Sequence, residues 1–158
     1  MNVSTLCQAC GLCCDGTLFV RVSVTEGEAA LLSRSGISTE LRGKNKRVLP
    51  QPCAALEGTR CRCYADRPGP CREYVCLLAG AREGGEVSHD GALAIVAEAR
   101  QRVASLEAKL SPAEGPVLRR ARAQADGSGE VREALDHLEA HLRRHFLGVA
   151  GARAARER

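Results

Sequence analysis

The chain has 158 residues, nine of them cysteine, and its formal net charge is +4 at pH 7. This length allows one compact domain with an added element, but not two full hydrophobic cores. The sequence has two Phe, two Tyr and no Trp, so it lacks the aromatic platform on which single-stranded nucleic acids stack, which argues against a nucleic acid partner.

The start of the chain lacks the basic and apolar regions of a secretory signal, and no apolar run is long enough to span a bilayer. We therefore expect a cytoplasmic protein without a membrane partner. In that compartment thiols stay reduced, and clustered cysteines serve metals or redox chemistry more often than disulfides.

The first predicted element is a cysteine-rich run with the pattern C-x2-C-x2-C-C, from Cys7 to Cys14. Short C-x2-C loops let two thiolates converge on one metal ion or on one edge of a cluster. Gly11 allows the tight backbone path that this convergence requires. Neighbouring side chains tend to diverge, so Cys13 and Cys14 are expected to serve different metals or different irons of one assembly.

A strand and a helix are predicted next. Apolar residues alternate over residues 17–24, which is typical of a half-buried strand. Residues 25–28 have the pattern of a capping box, which predicts a short helix ending near Gly36. The basic stretch 42–47 is typical of a solvated hairpin or loop, and it leads into a possible short strand at residues 48–49.

The second cysteine segment runs from Cys53 to Cys76 with the pattern C-x7-C-x-C-x7-C-x4-C. It is rich in Pro, Gly and Arg and has no sustained helical or strand period, so we expect metal coordination to fix its backbone. Neither cysteine segment follows the simple C-x2-C…C-x2-C pattern of zinc ribbons.

Helices are predicted for the rest of the chain. Apolar spacings of three and four begin near Ser88 and predict a long helix. Residues 111–114 carry a second helix-start signal, and a last helix is predicted from about Glu130 to Leu147, with Gly148 as its stop. Three histidines recur at four-residue spacing on this helix. These are His137, His141 and His145, and we expect them on a solvated face.

The predicted fold class is therefore small α+β: an irregular cysteine-rich metal-binding module with a short strand pair and a helix, followed by a C-terminal helical hairpin or three-helix element. The predicted domain limits are residues 1–80 for the cysteine-rich domain, 81–149 for the helical element and 150–158 for a disordered tail. No hydrolase or nucleotide-binding motif is present, so the sequence does not decide whether the protein is an enzyme.

Taken together, the two cysteine segments resemble a known family. The run Cys7-x2-Cys10-Gly11-x-Cys13-Cys14 is followed by Pro52-Cys53, Cys61-x2-Tyr64, Arg67-Pro68 and Cys71-Arg72-x3-Cys76. In this order the residues resemble the CxxCxxCC family of zinc- or iron-chelating proteins. The resemblance covers about residues 7–76.

The resemblance implies a small bacterial protein with a cysteine-bound metal centre. A similar cysteine module is attached to flagellin lysine methylases, where it is regarded as an iron–sulfur site. Carried over by position, the candidate metal ligands are Cys7, Cys10, Cys13, Cys14, Cys53, Cys61, Cys71 and Cys76. Cys63 departs from the family pattern, which tends to have an aliphatic residue there. We expect it to be a small core residue, or otherwise a ninth, exchangeable or reactive thiol.

The basic and aromatic residues of the motif have expected roles beside such a centre. Four arginines are expected to offset the negative charge of thiolate-bound metal: Arg60, Arg62, Arg67 and Arg72. Tyr64 and Tyr74 are expected to shield the site from water. Eight thiolates would add eight negative charges, and two metal centres of charge +2 would add four positive ones. Metal loading would therefore bring the net charge of +4 to zero.

Three functions follow from these observations. An iron–sulfur protein, with a 4Fe–4S cluster as one form, would serve electron transfer or redox-assisted modification of a protein that docks on the C-terminal helices. A zinc module would scaffold a protein–protein interaction, and a Lewis-acid enzyme would need an open coordination position. Tetrathiolate sites suit zinc and iron–sulfur clusters alike, but eight candidate ligands around an adjacent pair favour a cluster.

Overall fold

The fold was described from a computed structural model, which covers residues 3–147, without the side chains of residues 3 and 4. Over this range the helices are α1 Val3–Cys10, α2 Glu26–Arg34, α3 Gly69–Glu73, α4 Leu77–Glu83, α5 His89–Glu107, α6 Val117–Gln124 and α7 Gly129–Leu142. The strands are β1 Arg21–Val24, β2 Glu40–Arg42, β3 Lys46–Pro50, β4 Leu56–Glu57 and β5 Arg60–Cys61. The predicted class, a small α+β fold with a helical C-terminal region, is confirmed. The predicted helix stop at Gly148 and the predicted tail lie outside the described residues.

The N-terminal half contains one antiparallel three-stranded sheet in the order β1-β3-β2. The basic stretch forms the predicted hairpin between β2 and β3. Helix α2 begins at the predicted capping box, in which Thr25 Oγ1 accepts a hydrogen bond from the Glu28 N–H at 3.2 Å. In return, Glu28 Oε2 accepts one from the Thr25 N–H at 2.8 Å. These bonds satisfy two amides that the helix itself cannot pair.

The predicted strand over residues 17–24 is wrong in its first half, because β1 begins only at Arg21. Local hydrogen bonds turn the preceding segment instead. Asp15 Oδ1 accepts from the Thr17 N–H at 2.8 Å, and the Leu18 N–H donates to the Leu12 carbonyl at 3.0 Å. Leu18 is thereby buried among the C-terminal helices, so its place in the alternating pattern reflects helix packing.

The long predicted helix is confirmed as α5, and Ser88 Oγ caps it by accepting from the Gly91 N–H at 3.0 Å. The predicted helix start at residues 111–114 is wrong, since α6 begins at Val117. The Ser111 N–H donates to the side chain of Gln124 at 2.9 Å, which holds the segment as a loop against the end of α6. The last helix is confirmed as α7, which continues into a π-helical turn at Arg143–Leu147.

The main hydrophobic core lies between the C-terminal helices and the first cysteine run. Leu6 of α1 and Leu12 are buried in the same cluster as Leu106, Leu138 and Phe146. A second, smaller cluster joins α2 to the sheet and is contacted by three cysteines of the second segment. The predicted domain limit at residues 80 and 81 stays a prediction, but the main core extends across it. None of the described helices has the length and apolar character needed to cross a membrane.

Arg100 of α5 connects this core to the first cysteine run. Its Nη1 donates to the carbonyl of Cys10 at 2.8 Å and lies 3.9 Å from Asp15 Oδ2. Cys10 is the last residue of α1, where carbonyl groups lack a partner within the helix. The guanidinium therefore caps α1 and holds the following loop against α5.

We expect Arg100→Leu to lower the free energy of unfolding by about 1–2 kcal/mol, because a charged hydrogen bond to a half-buried carbonyl is lost. Arg102→Leu is a matched control: the two arginine side chains are 40% and 39% exposed, but within residues 3–147 the ion pair of Arg102 is with Glu98 on the same helix. The control should cost less than about 0.5 kcal/mol. Urea unfolding under anaerobic, reducing conditions measures both, and equal losses would contradict the capping role.

Candidate metal centre

All nine cysteines carry free thiols and line one cavity of about 850 Å³. The cavity lies between the sheet, the second cysteine segment and the C-terminal helices. Its apolar wall includes Leu12, Leu18 and Phe146 of the main core. The eight predicted ligands and Cys63 therefore reach the same space, although they are spread over 70 residues of sequence.

The first cysteine run reaches this cavity through a helix and a turn. Cys7 and Cys10 are three residues apart on α1 and so share one face of the helix. Gly11 ends α1 with φ of +70°, and a Cβ at this position would lie only 3.1 Å from the Cα of Thr59. Glycine is needed here both for the left-handed backbone and for the close approach to the second segment.

Two hydrogen bonds join the cysteine segments directly. The Cys53 N–H donates to the carbonyl of Cys14 at 2.7 Å. The Cys61 N–H donates to Oε1 of Gln8 at 2.9 Å. Nothing in the cysteine spacing identified Gln8, which is one of the polar residues that the sequence analysis missed.

The remaining two candidate ligands lie on short helices. Cys71 is on α3, whose first amide, that of Gly69, donates to Oε1 of Glu28 at 2.7 Å. Cys76 caps α4, and its Sγ accepts from the Ala79 N–H at 3.3 Å. Glu28 thus serves both the capping box of α2 and the position of α3, a second role that its sequence context did not reveal.

From the electrostatic interactions between the thiols we assign the eight candidate ligands to two neighbouring groups of four, which meet at Cys13 and Cys14. Burial raises the pKa of Cys7, Cys10 and Cys13, and a nearby Cys76 thiolate raises the pKa of each further. We call these four the first thiol group. Burial also raises the pKa of Cys14 and Cys71, and nearby thiolates of Cys53 and Cys61 add to it. The second thiol group is Cys14, Cys53, Cys61 and Cys71.

Cys13 interacts with the other three thiols of the first group and also with Cys14, whereas Cys14 interacts with the other three thiols of the second, so we assign the adjacent cysteines to different groups. Burial raises the pKa of Cys10 and of Cys14 to about 12, so both are protonated thiols at neutral pH without a cation. A bound metal ion would supply the positive charge that favours the thiolates. The soft donor set and its burial fit a thiophilic metal centre.

The thiols are arranged around a space and are not gathered at a point. Within residues 3–147, no three His, Cys, Asp or Glu side chains are placed to hold a single metal ion. The Sγ atoms of Cys61 and Cys63 are in contact at 3.7 Å. The spread of the thiols around the cavity therefore limits the kind of metal centre that they can bind.

Positive charge predominates among the side chains that line the cavity. The charged lining residues are Arg21, Arg42, Lys46, Arg67, Arg72 and Glu83. Their surplus of four positive charges would balance two centres of charge +2, each bound by four thiolates. Burial raises the pKa of Cys53, and the positive charge of Arg62 opposes this rise. Arg60, in contrast, is exposed and does not line the cavity.

Arg67 and Tyr64 each interact with thiols of both groups. The guanidinium carbon of Arg67 is 3.7 Å from the centroid of the Tyr64 ring, and Nη1 donates to the Tyr64 carbonyl at 2.6 Å. Burial raises the pKa of Cys7 and of Cys71, and the positive charge of Arg67 opposes this rise in both. The residue therefore faces one thiol of each group.

Tyr74 forms part of the wall near the first thiol group. Its hydroxyl donates to the carbonyl of Phe146 in the π-helical turn at 3.3 Å. Its ring meets Phe19 edge to face, with centroids 4.8 Å apart. The two tyrosines are partly buried and line the cavity, as a shielding role requires.

The expected solvated histidine face is wrong for His141. This side chain is buried, with Nε2 3.3 Å from the Ile95 carbonyl and Nδ1 3.7 Å from Oε1 of Glu98. The His145 ring is partly buried 4.7 Å away, and only His137 is exposed. The packing of α7 on α5 buries this face, and none of the three histidines lines the thiol cavity.

A cavity lined by two sets of four thiols is characteristic of a cysteine-based metal-binding domain. The model of the CxxCxxCC family, described as a putative zinc- or iron-chelating domain, matches residues 6–90, more than half of the chain. The protein belongs to this family, and the family's description supports metal binding by this chain. Comparison with curated proteins and with solved structures gives no match. The assignment of the eight cysteines as ligands stays a prediction.

Proposed function

We propose that this protein is an iron–sulfur protein that holds two clusters, one in each thiol group, and serves electron transfer or redox-assisted modification of a partner. The observation that carries the proposal is the division of eight cavity-lining cysteines into two sets of four. Four thiolates are the usual ligand set of both 2Fe–2S and 4Fe–4S clusters.

A single zinc ion and an iron–sulfur cluster require different spacings of the four thiols. Zinc–sulfur bonds of about 2.3 Å place the four Sγ atoms of a tetrahedral site about 3.8 Å apart. In a cubane cluster each thiolate binds a different iron, so the sulfur atoms stand further apart. The absence of any three metal-binding side chains gathered around one point, among the described residues, is in keeping with the wider arrangement.

When bound, such clusters supply a one-electron redox couple. The chain contributes burial, which keeps water from the thiolates, and the positive charge of Arg67, which interacts with thiols of both groups. The first thiol group reaches the surface at Cys7, which is exposed, and the residues on either side of Cys76, Val75 and Leu77, are 56% and 48% exposed. This edge offers a short path to a protein redox partner.

Docking of that partner on the C-terminal helices stays a prediction. The large exposed apolar side chains of the described residues are Leu31, Leu41, Val75 and Leu77, all in the N-terminal half. We therefore place electron exchange at the edge formed by Cys7, Val75 and Leu77.

A structural zinc module is the second candidate. The observation that favours it is the local structure of the second segment, where β4 and β5 have only two residues each. Such short elements need an external constraint, which a zinc ion would supply, and the module would then scaffold a protein–protein interaction.

The visible spectrum of anaerobically purified protein decides between these candidates. We expect a brown protein with a broad absorption band at about 400 nm that bleaches with dithionite. The protein should also contain iron and acid-labile sulfide. A colourless protein with about two zinc ions per chain would overturn the iron–sulfur proposal and support the zinc module.

A further inference from the structure

Cys63 adds a fifth thiol beside the second thiol group. Its Sγ lies 3.7 Å from that of Cys61, and the side chain is partly buried in the same cavity. Cys63 also packs against the small hydrophobic cluster. This contact is consistent with one of its two expected roles, that of a small core residue. That role does not account for the contact between the sulfurs. Four ligands complete a tetrahedral or cluster site, so one of the five thiols is in excess.

The backbone holds this pair in place. Cys61 ends β5, and the chain turns at Arg62, whose N–H donates to the Ala55 carbonyl at 2.8 Å. Cys63 follows in this turn, just before the short helical turn at Tyr64–Asp66, and the turn brings the two sulfurs together. A disulfide bond of about 2.05 Å would need the sulfur atoms to approach by about 1.7 Å.

We propose that Cys61 and Cys63 are a redox-sensitive dithiol, and that its oxidation to a disulfide removes Cys61 from the second thiol group and releases the metal held there. The inference rests on Cys61 being a ligand, as the proposed function has it, and holds for a cluster or for zinc.

The reaction requires a two-electron oxidant, for which a peroxide is the simplest class. In a metal-free chain the two thiols together give up two protons and two electrons, a sulfur–sulfur bond forms, and hydrogen peroxide takes up these protons and electrons to become two molecules of water. In a loaded chain Cys61 would be a thiolate: its bond to the metal would break as the sulfur–sulfur bond forms, and solvent would supply the second proton. A dithiol reductant reverses the step by exchange and restores Cys61 as a ligand.

The disulfide is detected by peptide mapping of the metal-loaded full-length chain. The protein is treated with one equivalent of hydrogen peroxide, alkylated, and cleaved with trypsin and with a protease that cuts before aspartate. Cleavage after Arg60 and Arg62 and before Asp66 places the two cysteines on separate peptides, 61–62 and 63–65, and separates both from Cys71. We expect these two peptides to be linked. Alkylated Cys63, or Cys61 linked to Cys71, would overturn the proposal.

Metal release from the loaded protein is the second readout. Wild-type protein and Cys63→Ser should hold equal metal before oxidation. After one equivalent of peroxide, we expect the variant to lose metal from the second group at least about fivefold more slowly, and only the wild type to regain it after thiol reduction and reloading. Equal rates and equal recovery would overturn the proposal. If the variant does not fold, the mapping of wild-type protein still decides.

Failure of this inference is distinguishable from failure of the proposed function. A colourless zinc protein would refute the iron–sulfur centre but leave both the linked peptides and the metal-release comparison measurable. Unlinked peptides would refute the dithiol whatever the metal is.

Discussion

Replacement of Cys13 by Ser is expected to abolish the metal centre of the first thiol group and to leave that of the second, while Cys14→Ser should do the reverse. The two residues are neighbours in the chain, but Cys13 shares its surroundings with Cys76 and Cys14 with Cys53 and Cys61. A serine hydroxyl is a poor substitute for a thiolate toward soft metals. Each variant should therefore retain about half of the wild-type metal, as measured by elemental analysis per chain.

The identity of the lost centre is read from thiol alkylation. In Cys13→Ser we expect the other three thiols of the first group to become reactive and those of the second to stay protected, with the opposite result for Cys14→Ser. Cys63→Ser makes the same chemical change outside both groups and should keep the full metal content. Loss of all metal in either variant, or the same alkylation pattern in both, would show that the thiols do not form two independent groups.

Removal of metal with a chelator under anaerobic, reducing conditions is expected to unfold residues 53–76 while α5 and α7 remain folded. The second segment is built from two-residue strands and short helices. Besides isolated hydrogen bonds, it is supported by the small cluster beside α2 and by the packing of Cys76 against the main core. The C-terminal helices bury Val96, Leu106 and Leu138 in a core that contains no cysteine among its fully buried residues. Amide exchange should rise about tenfold or more in the second segment and change little in α5 and α7.

Hydrogen exchange with mass spectrometry measures this contrast directly. Readdition of the native metal should restore protection in residues 53–76, which separates metal loss from irreversible damage. Uniform deprotection of the whole chain would mean that the metal and the helical core stabilise one cooperative unit. Unchanged protection would mean that the hydrogen bonds from Cys53 and Cys61 to the first cysteine run hold the segment without metal.

The elements that were predicted correctly are those whose signals are local. The Thr25 capping box defines α2, Ser88 caps α5, and apolar spacing marks α7. The prediction at residues 111–114 failed although its signal was also local, because the side chain of Gln124, thirteen residues away, pairs with the Ser111 backbone in preference to a helix. A helix-start signal shows only that a segment can begin a helix, and tertiary contacts determine whether it does.

For the site, the cysteine pattern predicted which residues face the cavity but not how they are divided. That Cys13 and Cys14 serve different centres was predicted because the side chains of adjacent residues tend to diverge. The partners of each depend on the Cys53–Cys14 backbone hydrogen bond and on Gln8, which join distant parts of the chain. The capping of α1 by Arg100 and the burial of His141 likewise depend on helix packing, which no local pattern encodes.

The division of Cys13 and Cys14 between the two groups has a consequence for the movement of electrons. A single peptide unit connects the two thiols, so two clusters bound there would be joined through main-chain covalent bonds without a gap. Electron tunnelling decays less steeply along bonds than across space, and this path needs no side-chain contact or bridging water to complete it. Electrons could then pass between the two centres along the covalent bonds of the Cys13–Cys14 dipeptide, and Cys7 would be the exposed end of that path.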